Sequence, residues 1–125
     1  MQAVELTGGF ADPSADSARA FRQIMNVMAR PGTIAEVAGA DAPAPMSVAA
    51  ATLLLTLCDP DTGIYLAGDW DVEPVRNWIN FHIGAPVVSV ETCDFAVGSW
   101  EALAPLTPYK LGRSEYPDRA ASLIV

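Results

Sequence analysis

The sequence has few of the side chains that bind metals or form disulfide bonds. Its only histidine is His82, and its two cysteines, Cys58 and Cys93, lie far apart and outside any Cys-x-x-Cys motif. This count excludes a disulfide framework and a four-ligand zinc site. It also disfavours a transition-metal site of any other kind. We therefore expect no bound metal and two free thiols.

Positive charge is also scarce. Seven Lys and Arg residues stand against fifteen Asp and Glu residues, and the formal net charge at pH 7 is −8. Non-specific nucleic-acid binding and docking on an anionic membrane both need a cationic field, so neither is expected. A small phosphorylated ligand needs only one or two local cations, so this composition is compatible with one.

Long hydrophobic runs are missing as well. The longest apolar run, residues 46–58, is too short to cross a bilayer and is interrupted by Ser and Thr. The first residues show neither the basic nor the apolar region of a signal peptide. These features together predict a cytoplasmic protein.

Apolar residues are nevertheless abundant, at 51% of the 125 residues, and only 18% are charged. This length predicts one domain, residues 1–125, with residues 1–12 as a lead-in arm that is ordered by docking. The surplus of apolar area suggests that some of it faces a partner. The apolar residues 123–125 are typical of the start of a core strand, so we expect the N-terminal portion of a longer domain.

The hydrophobic spacing predicts three main helices. The first spans residues 14–30, with Ser14 or Asp16 as its cap. The second, residues 46–58, is apolar on all sides, which is typical of a helix buried between layers. The third begins at Asp71 and is amphipathic, and a short fourth helix is capped by Ser99. The core-facing side of the first helix is expected to carry four residues at helical spacing, namely Phe21, Ile24, Met25 and Met28.

Short β-branched or apolar runs between the helices predict strands. They lie at residues 33–37, 64–67, 87–90 and 95–97. Residues 59–63 are a turn by composition, and residues 104–119 form a loop rich in Pro, Gly and charge. The alternation of helices and strands predicts an α/β fold.

Few residues are candidates for chemistry. His82 lies on an apolar helix face near the helix end, where the favoured interpretation is structural, with a ring nitrogen reaching a backbone carbonyl. Asp59 and Asp61 are explained by a turn better than by a Ca²⁺ loop, since the later glutamate is missing. Cys58 is expected to be an inert buried thiol, and Cys93 to be the more accessible one.

Cationic side chains offer a second set of candidates. Arg19, Arg22 and Arg30 share the polar side of the first helix and could hold a phosphate or an acidic partner, although an ordinary solvated face is favoured. Lys110 is the only lysine. The favoured interpretation is a solvated loop residue, and a Schiff-base or phosphate-binding role stays open. The sequence has no Gly-rich phosphate loop.

Four stretches carry a family resemblance. Residues 20–34, AFRQIMNVMARPGTI, resemble the opening F-R-x-x-M-x-x-M-[AS]-x-P-G segment of the PhnH family, a subunit of the bacterial carbon–phosphorus lyase system. Residues 50–62, 80–86 and 112–124 fit the same family in the same order. The combination spans about residues 17–125, which makes it more specific than any one stretch.

The resemblance implies a fold and a set of partners. The implied fold is a three-layer α/β/α domain with a mixed sheet, like the large domain of pyridoxal-phosphate-dependent transferases but without the cofactor lysine, so no cofactor is expected. The implied assembly is a homodimer that joins a core complex with PhnG, PhnI and PhnJ. That system couples a phosphonate to the ribose of ATP before the C–P bond is broken.

Two function hypotheses follow, with a third held in reserve. The leading one is a non-catalytic or assisting subunit for phosphonate activation, because no catalytic residue can be identified. The alternative is a stand-alone enzyme or binding protein for a phosphorylated nucleoside, with Arg22, Asp59, Asp61 and His82 as ligand-binding residues. The third is a degenerate pyridoxal-phosphate enzyme that uses Lys110.

Overall fold

The computed structural model describes residues 7–125, so half of the predicted lead-in arm, residues 1–6, lies outside the described residues. The described chain forms four α-helices, three strands and two single 3₁₀ turns at Gly68–Trp70 and Pro117–Arg119. The helices are α1 Pro13–Ala29, α2 Val48–Leu57, α3 Glu73–His82 and α4 Trp100–Leu103, and the strands are β1 Ile64–Leu66, β2 Phe95–Val97 and β3 Ser122–Ile124. In residues 7–125 no helix combines the length and the apolar character needed to cross a membrane.

The three strands form one parallel sheet in the order β1-β2-β3. Phe95 of β2 pairs with Ile64 on one side and with Ser122 on the other. Parallel neighbours need a long crossover connection, and α3 and α4 lie in the two connections. The predicted α/β class is confirmed. The sheet of the described residues is parallel, whereas a mixed sheet was expected.

The core lies between the sheet and helices α2 and α3. Trp78, Leu54, Ile64, Ile79 and Val75 are all fully buried there. The predicted helix is confirmed as α2, but it is buried on one side only, because Val48 in its first turn is 42% exposed. Ser47 is its cap, since the Ser47 hydroxyl accepts a hydrogen bond from the N–H of Ala50 at 3.1 Å. The predicted cap of α4 is confirmed in the same way, because Ser99 accepts from the N–H of Ala102 at 3.2 Å.

Helix α1 differs from the prediction in what its apolar face touches. Ile24 is buried, but Phe21 and Met25 are about half exposed and Met28 is 70% exposed. The helix packs against α2, and this contact covers only the side that carries Ala20 and Ile24. We call the three exposed side chains, Phe21, Met25 and Met28, the α1 apolar face.

The start of α1 also differs from the prediction. Its cap position is Asp12, with Pro13 as the first helical residue, so Ser14 lies inside the helix. Asp16 still serves the helix start, because its carboxylate accepts a hydrogen bond from the N–H of Asp12 at 3.0 Å. The same carboxylate forms an ion pair with Arg19 at 3.1 Å.

Two predicted strands are wrong. Residues 33–37 form no strand, and Ile34 is almost fully exposed, because no strand within residues 7–125 pairs with this segment. Residues 87–90 form only one bridge, between Val87 and Ile64, before the chain turns at Ser89. Alternating or β-branched residues predict a strand only where a partner edge is available.

The described half of the predicted lead-in arm, residues 7–12, contacts α3 and the loop before α2. The N–H of Asp41 donates to the carbonyl of Gly8 at 2.8 Å, and the indole N–H of Trp78 donates to the carbonyl of Thr7 at 3.1 Å. Phe10 packs against the core cluster of α2 and α3. The arm is therefore tied to helix α3 and to the loop that precedes α2.

Candidate functional site

The four residues predicted to bind a ligand lie on three different parts of the fold. Arg22 lines a groove of about 600 Å³ between α1 and α2. His82 lines a second cavity of about 330 Å³, and neither of these two cavities includes Asp59 or Asp61. These two cavities therefore do not bring the four residues together as one pocket.

The groove at Arg22 mixes polar and apolar groups. Two residues of the α1 apolar face, Phe21 and Met25, line this groove. The other lining residues are Ser17, Ala18, Arg22, Asn26 and Thr56. No carboxylate of the described residues forms an ion pair with Arg22. A guanidinium beside apolar side chains suits an acidic group on a partner surface that is otherwise apolar.

His82 sits in an aromatic setting at the end of α3. Its ring centroid is 5.0 Å from that of Trp78 and 4.9 Å from that of Phe81. Gly9 of the lead-in arm packs against it so closely that a Cβ there would lie 2.7 Å from Nδ1. The atom Nε2 is buried and has no hydrogen-bond partner among the described residues. The expected bond to a backbone carbonyl is therefore not made at Nε2, because aromatic rings and the arm surround it.

Asp59 and Asp61 lie in the turn that was predicted for them. The Asp59 carboxylate accepts hydrogen bonds from the N–H of Asp61 at 2.9 Å and from the Thr62 hydroxyl at 3.0 Å. This Asx arrangement fixes the approach to β1. One oxygen of Asp59 is thus occupied structurally, and Asp61 is exposed. In residues 7–125 no three His, Cys, Asp or Glu side chains are placed to hold a metal ion.

The interpretation of the sequence missed the pairing of Lys110 with Asp94. Lys110 is partly buried, and its Nζ lies 2.6 Å from Oδ1 of Asp94, whose Oδ2 accepts from the N–H of Gly63 at 2.9 Å. These donors, Lys110 first, hold the pKa of the Asp94 carboxyl below its usual value. Lys110 is therefore not simply solvated. The sequence signal that points to this region, though not to Asp94 as the partner, is the concentration of cations in residues 110–119.

The two thiols are both free, as expected, but their environments are reversed. Cys93 is fully buried, and its thiol donates to the carbonyl of Val90 at 3.3 Å, because the turn before β2 folds over it. Cys58 is only partly buried at the end of α2. Burial, together with the negative charges of Asp59 and Asp94, nevertheless raises the pKa of Cys58 to about 12.

Both thiols should react slowly with alkylating reagents, since the thiolate is the nucleophile. With a pKa of about 12, Cys58 at pH 8 is ionised in about one molecule in ten thousand. We expect iodoacetamide to modify it at least a hundredfold more slowly than free cysteine, as measured by intact mass. The protein unfolded in guanidinium chloride is the control and should react at the ordinary rate. Equal rates for the folded and unfolded protein would contradict the structure.

Comparison with known proteins adds the relationship that the geometry alone does not give. The family model described as "Bacterial phosphonate metabolism protein (PhnH)" matches residues 8–125. The chain is 38% identical over 122 residues to the alpha-D-ribose 1-methylphosphonate 5-triphosphate synthase subunit PhnH of Rhizobium meliloti (strain 1021). That alignment covers 95% of this chain and 61% of the relative, so the chain spans about three fifths of the relative's length.

Proposed function

Because the chain belongs to the bacterial PhnH family of phosphonate metabolism proteins, we propose that it acts as a non-catalytic or assisting subunit in phosphonate activation. The reaction is the coupling of an alkylphosphonate to the ribose of ATP before C–P bond cleavage. The observation that carries this proposal is the match of residues 8–125 to the PhnH family model. The similar protein of Rhizobium meliloti is named as a synthase subunit. The proposed location is the cytoplasm.

The surface of the molecule supports a role in assembly. The α1 apolar face places three large apolar side chains next to one another on a single helix, and each is about half exposed or more. A contiguous apolar patch of this kind on a folded protein is typical of a protein–protein contact. Arg22, at the edge of the same groove, adds a cation to the patch.

We assign the α1 apolar face to another subunit of the synthase, with PhnG, PhnI or PhnJ as candidates. The expected partner surface is apolar at its centre and carries a carboxylate that pairs with Arg22. Of the four ligand-binding residues expected from the sequence, Arg22 is the one best placed for this contact. The homodimer and the three-layer transferase-like architecture are retained as parts of the proposal, whereas a ligand role for His82, Asp59 and Asp61 belongs to the alternative function.

Replacing Met28 by glutamate should break this contact. Met28 is 70% exposed, so the isolated protein should fold normally. In a complex the new carboxylate would be buried without a partner, which costs several kcal/mol. We expect co-purification with co-expressed PhnG, PhnI and PhnJ to weaken at least tenfold, and growth on methylphosphonate as the sole phosphorus source to slow in parallel.

The matched control is Leu106→Glu, which puts the same charge on another half-exposed apolar residue, in the loop after α4. It should leave co-purification unchanged. A complex that tolerates M28E would exclude the α1 apolar face as the subunit contact. A changed dimer mass with an intact complex would assign the face to a second copy. A large drop in the melting temperature of isolated M28E would show that the same chain covers the face.

The alternative, a stand-alone enzyme for a phosphorylated nucleoside, is not favoured. It requires turnover of ATP and methylphosphonate by the purified protein without other subunits. The third hypothesis, a pyridoxal-phosphate enzyme, requires Lys110 to form an imine. The ion pair between its Nζ and Asp94 disfavours this reaction. A protein that stays colourless after incubation with pyridoxal phosphate would exclude this reading.

A further inference from the structure

Cations are concentrated at one cavity on the side of the molecule that carries β2 and β3. Three of the seven Lys and Arg residues of the sequence fall within residues 110–119. All three line a cavity of about 580 Å³, together with Asp94, Leu111 and Asp118; these cations are Lys110, Arg113 and Arg119. Asp94 and Asp118 offset two of the three positive charges, so the lining carries one more cation than carboxylate, in a chain of net charge −8.

The backbone that carries these cations is folded into a defined turn. Arg113 and Tyr116 exchange both of their backbone hydrogen bonds, each at 3.1 Å, and the N–H of Arg119 donates to the carbonyl of Tyr116 at 3.2 Å. Gly112 lies against Pro117 so closely that a Cβ would overlap the Pro117 carbonyl oxygen. The turn therefore fixes the backbone positions of Arg113 and Arg119. A preorganised binding site needs such fixed positions.

The charges in the cavity are unequally compensated. Asp94 is occupied by Lys110 and by the N–H of Gly63. Among the described residues, no carboxylate oxygen lies within 4.0 Å of a guanidinium nitrogen of Arg113 or Arg119. Arg119 stacks instead on the ring of Tyr116, with its guanidinium carbon 4.0 Å from the ring centroid. Stacking engages the face of a guanidinium and leaves its N–H edge free for an acceptor.

We propose that this cavity binds the tetrahedral oxyanion of a phosphorylated or phosphonate-bearing small molecule, with Arg113 and Arg119 as the direct ligands. Guanidinium groups pair with phosphate oxygens through two parallel hydrogen bonds. The Lys110–Asp94 pair forms one wall and anchors the loop to the start of β2. The volume suits a sugar phosphate or a nucleotide better than an inorganic ion alone. The inference does not depend on the proposed subunit role, because it requires only that the isolated chain binds the anion.

The test is calorimetric titration of the purified protein with three probes, namely inorganic phosphate, methylphosphonate and ATP without magnesium. We expect binding that weakens as salt is raised, and a loss of at least tenfold in affinity for Arg113→Gln and again for Arg119→Gln. Arg113→Lys keeps the charge but not the two-pronged geometry, so its affinity should lie between those of the wild-type protein and the Arg113→Gln variant. The order of the three probes separates a phosphate ester from a phosphonate as the natural source of the oxyanion.

Arg30→Gln is the matched control, because it removes the same charge from an exposed residue at the end of α1, outside the cavity. It should retain wild-type affinity, with an unchanged circular dichroism spectrum for all variants. The proposal is overturned if the wild-type protein binds none of the three probes at millimolar concentration. It is also overturned if R30Q loses as much affinity as R113Q, since the effect would then reflect net charge alone. Normal anion binding with no association with PhnG, PhnI or PhnJ would contradict the subunit role and leave this site intact.

Discussion

Replacing Trp78 by alanine is expected to lower the free energy of unfolding by about 3–5 kcal/mol, the range for truncating a large buried aromatic side chain. Trp78 is fully buried at the centre of the core. Its indole N–H also holds the carbonyl of Thr7 at 3.1 Å, and its ring lies 5.0 Å from that of His82. The variant therefore leaves a cavity and releases the lead-in arm together. Urea denaturation followed by circular dichroism measures the loss.

Trp100 provides the control for this substitution, since it is the same residue type but is half exposed at the start of α4. We expect Trp100→Ala to cost less than about 1 kcal/mol. Trp78→Phe separates packing from tethering, because it keeps most of the ring volume but loses the indole N–H. It should cost about 1–2 kcal/mol, of which one net hydrogen bond accounts for about 1 kcal/mol. Equal costs for W78A and W100A would show that the core is not centred on Trp78.

The elements that could be predicted from the sequence are those specified by local residues. Helix α2 follows from an apolar run, and helix α4 follows from its serine cap, Ser99. Strands β1 and β2 follow from short apolar runs bounded by turns. The sequence signals for these elements lie within a few residues of each one. The two strands also need a partner edge, which β1 and β2 provide for each other.

Helix α1 shows where local reasoning fails. The apolar spacing of Phe21, Ile24, Met25 and Met28 is real, and it predicts the helix correctly. It does not tell whether the covering surface belongs to the same chain, and among the described residues only Ile24 of these four is buried. An amphipathic pattern reports a need for burial, while the partner that meets this need can lie on another molecule.

The cation-lined cavity shows a second limit. Gly63 and Asp94 are 31 residues apart, and Asp94 and Lys110 are 16 apart. The parallel sheet brings them together, because Asp94 directly precedes β2 while Gly63 directly precedes β1. Such contacts depend on strand order and register, which composition does not fix. The cluster of cations in residues 110–119 is nevertheless visible in the sequence. Its position at one cavity with Asp94 depends on the fold.

Gly8→Ala and Gly32→Ala form a matched pair with different expected outcomes. Both glycines have positive φ, +97° and +92°, so an alanine at either position carries backbone strain of about 1–2 kcal/mol. A Cβ at Gly32 would meet nothing within 4 Å, whereas a Cβ at Gly8 would overlap the carbonyl oxygen of Asp41. Gly32→Ala should therefore show strain alone. Gly8→Ala should show strain and also a clash with backbone that cannot rotate away.

The lead-in arm has one way to relieve the clash, which is to undock. Undocking loses the Asp41–Gly8 and Trp78–Thr7 hydrogen bonds and exposes Phe10. We therefore expect G8A to cost about 3 kcal/mol, with a ceiling set by the docking free energy of the arm. Thermolysin should cleave G8A at Phe10 at least tenfold faster than wild type, while G32A keeps wild-type protection. If the two variants are equally stable and equally protected, then the arm contributes nothing to the fold, and the packing of Gly9 against His82 is incidental.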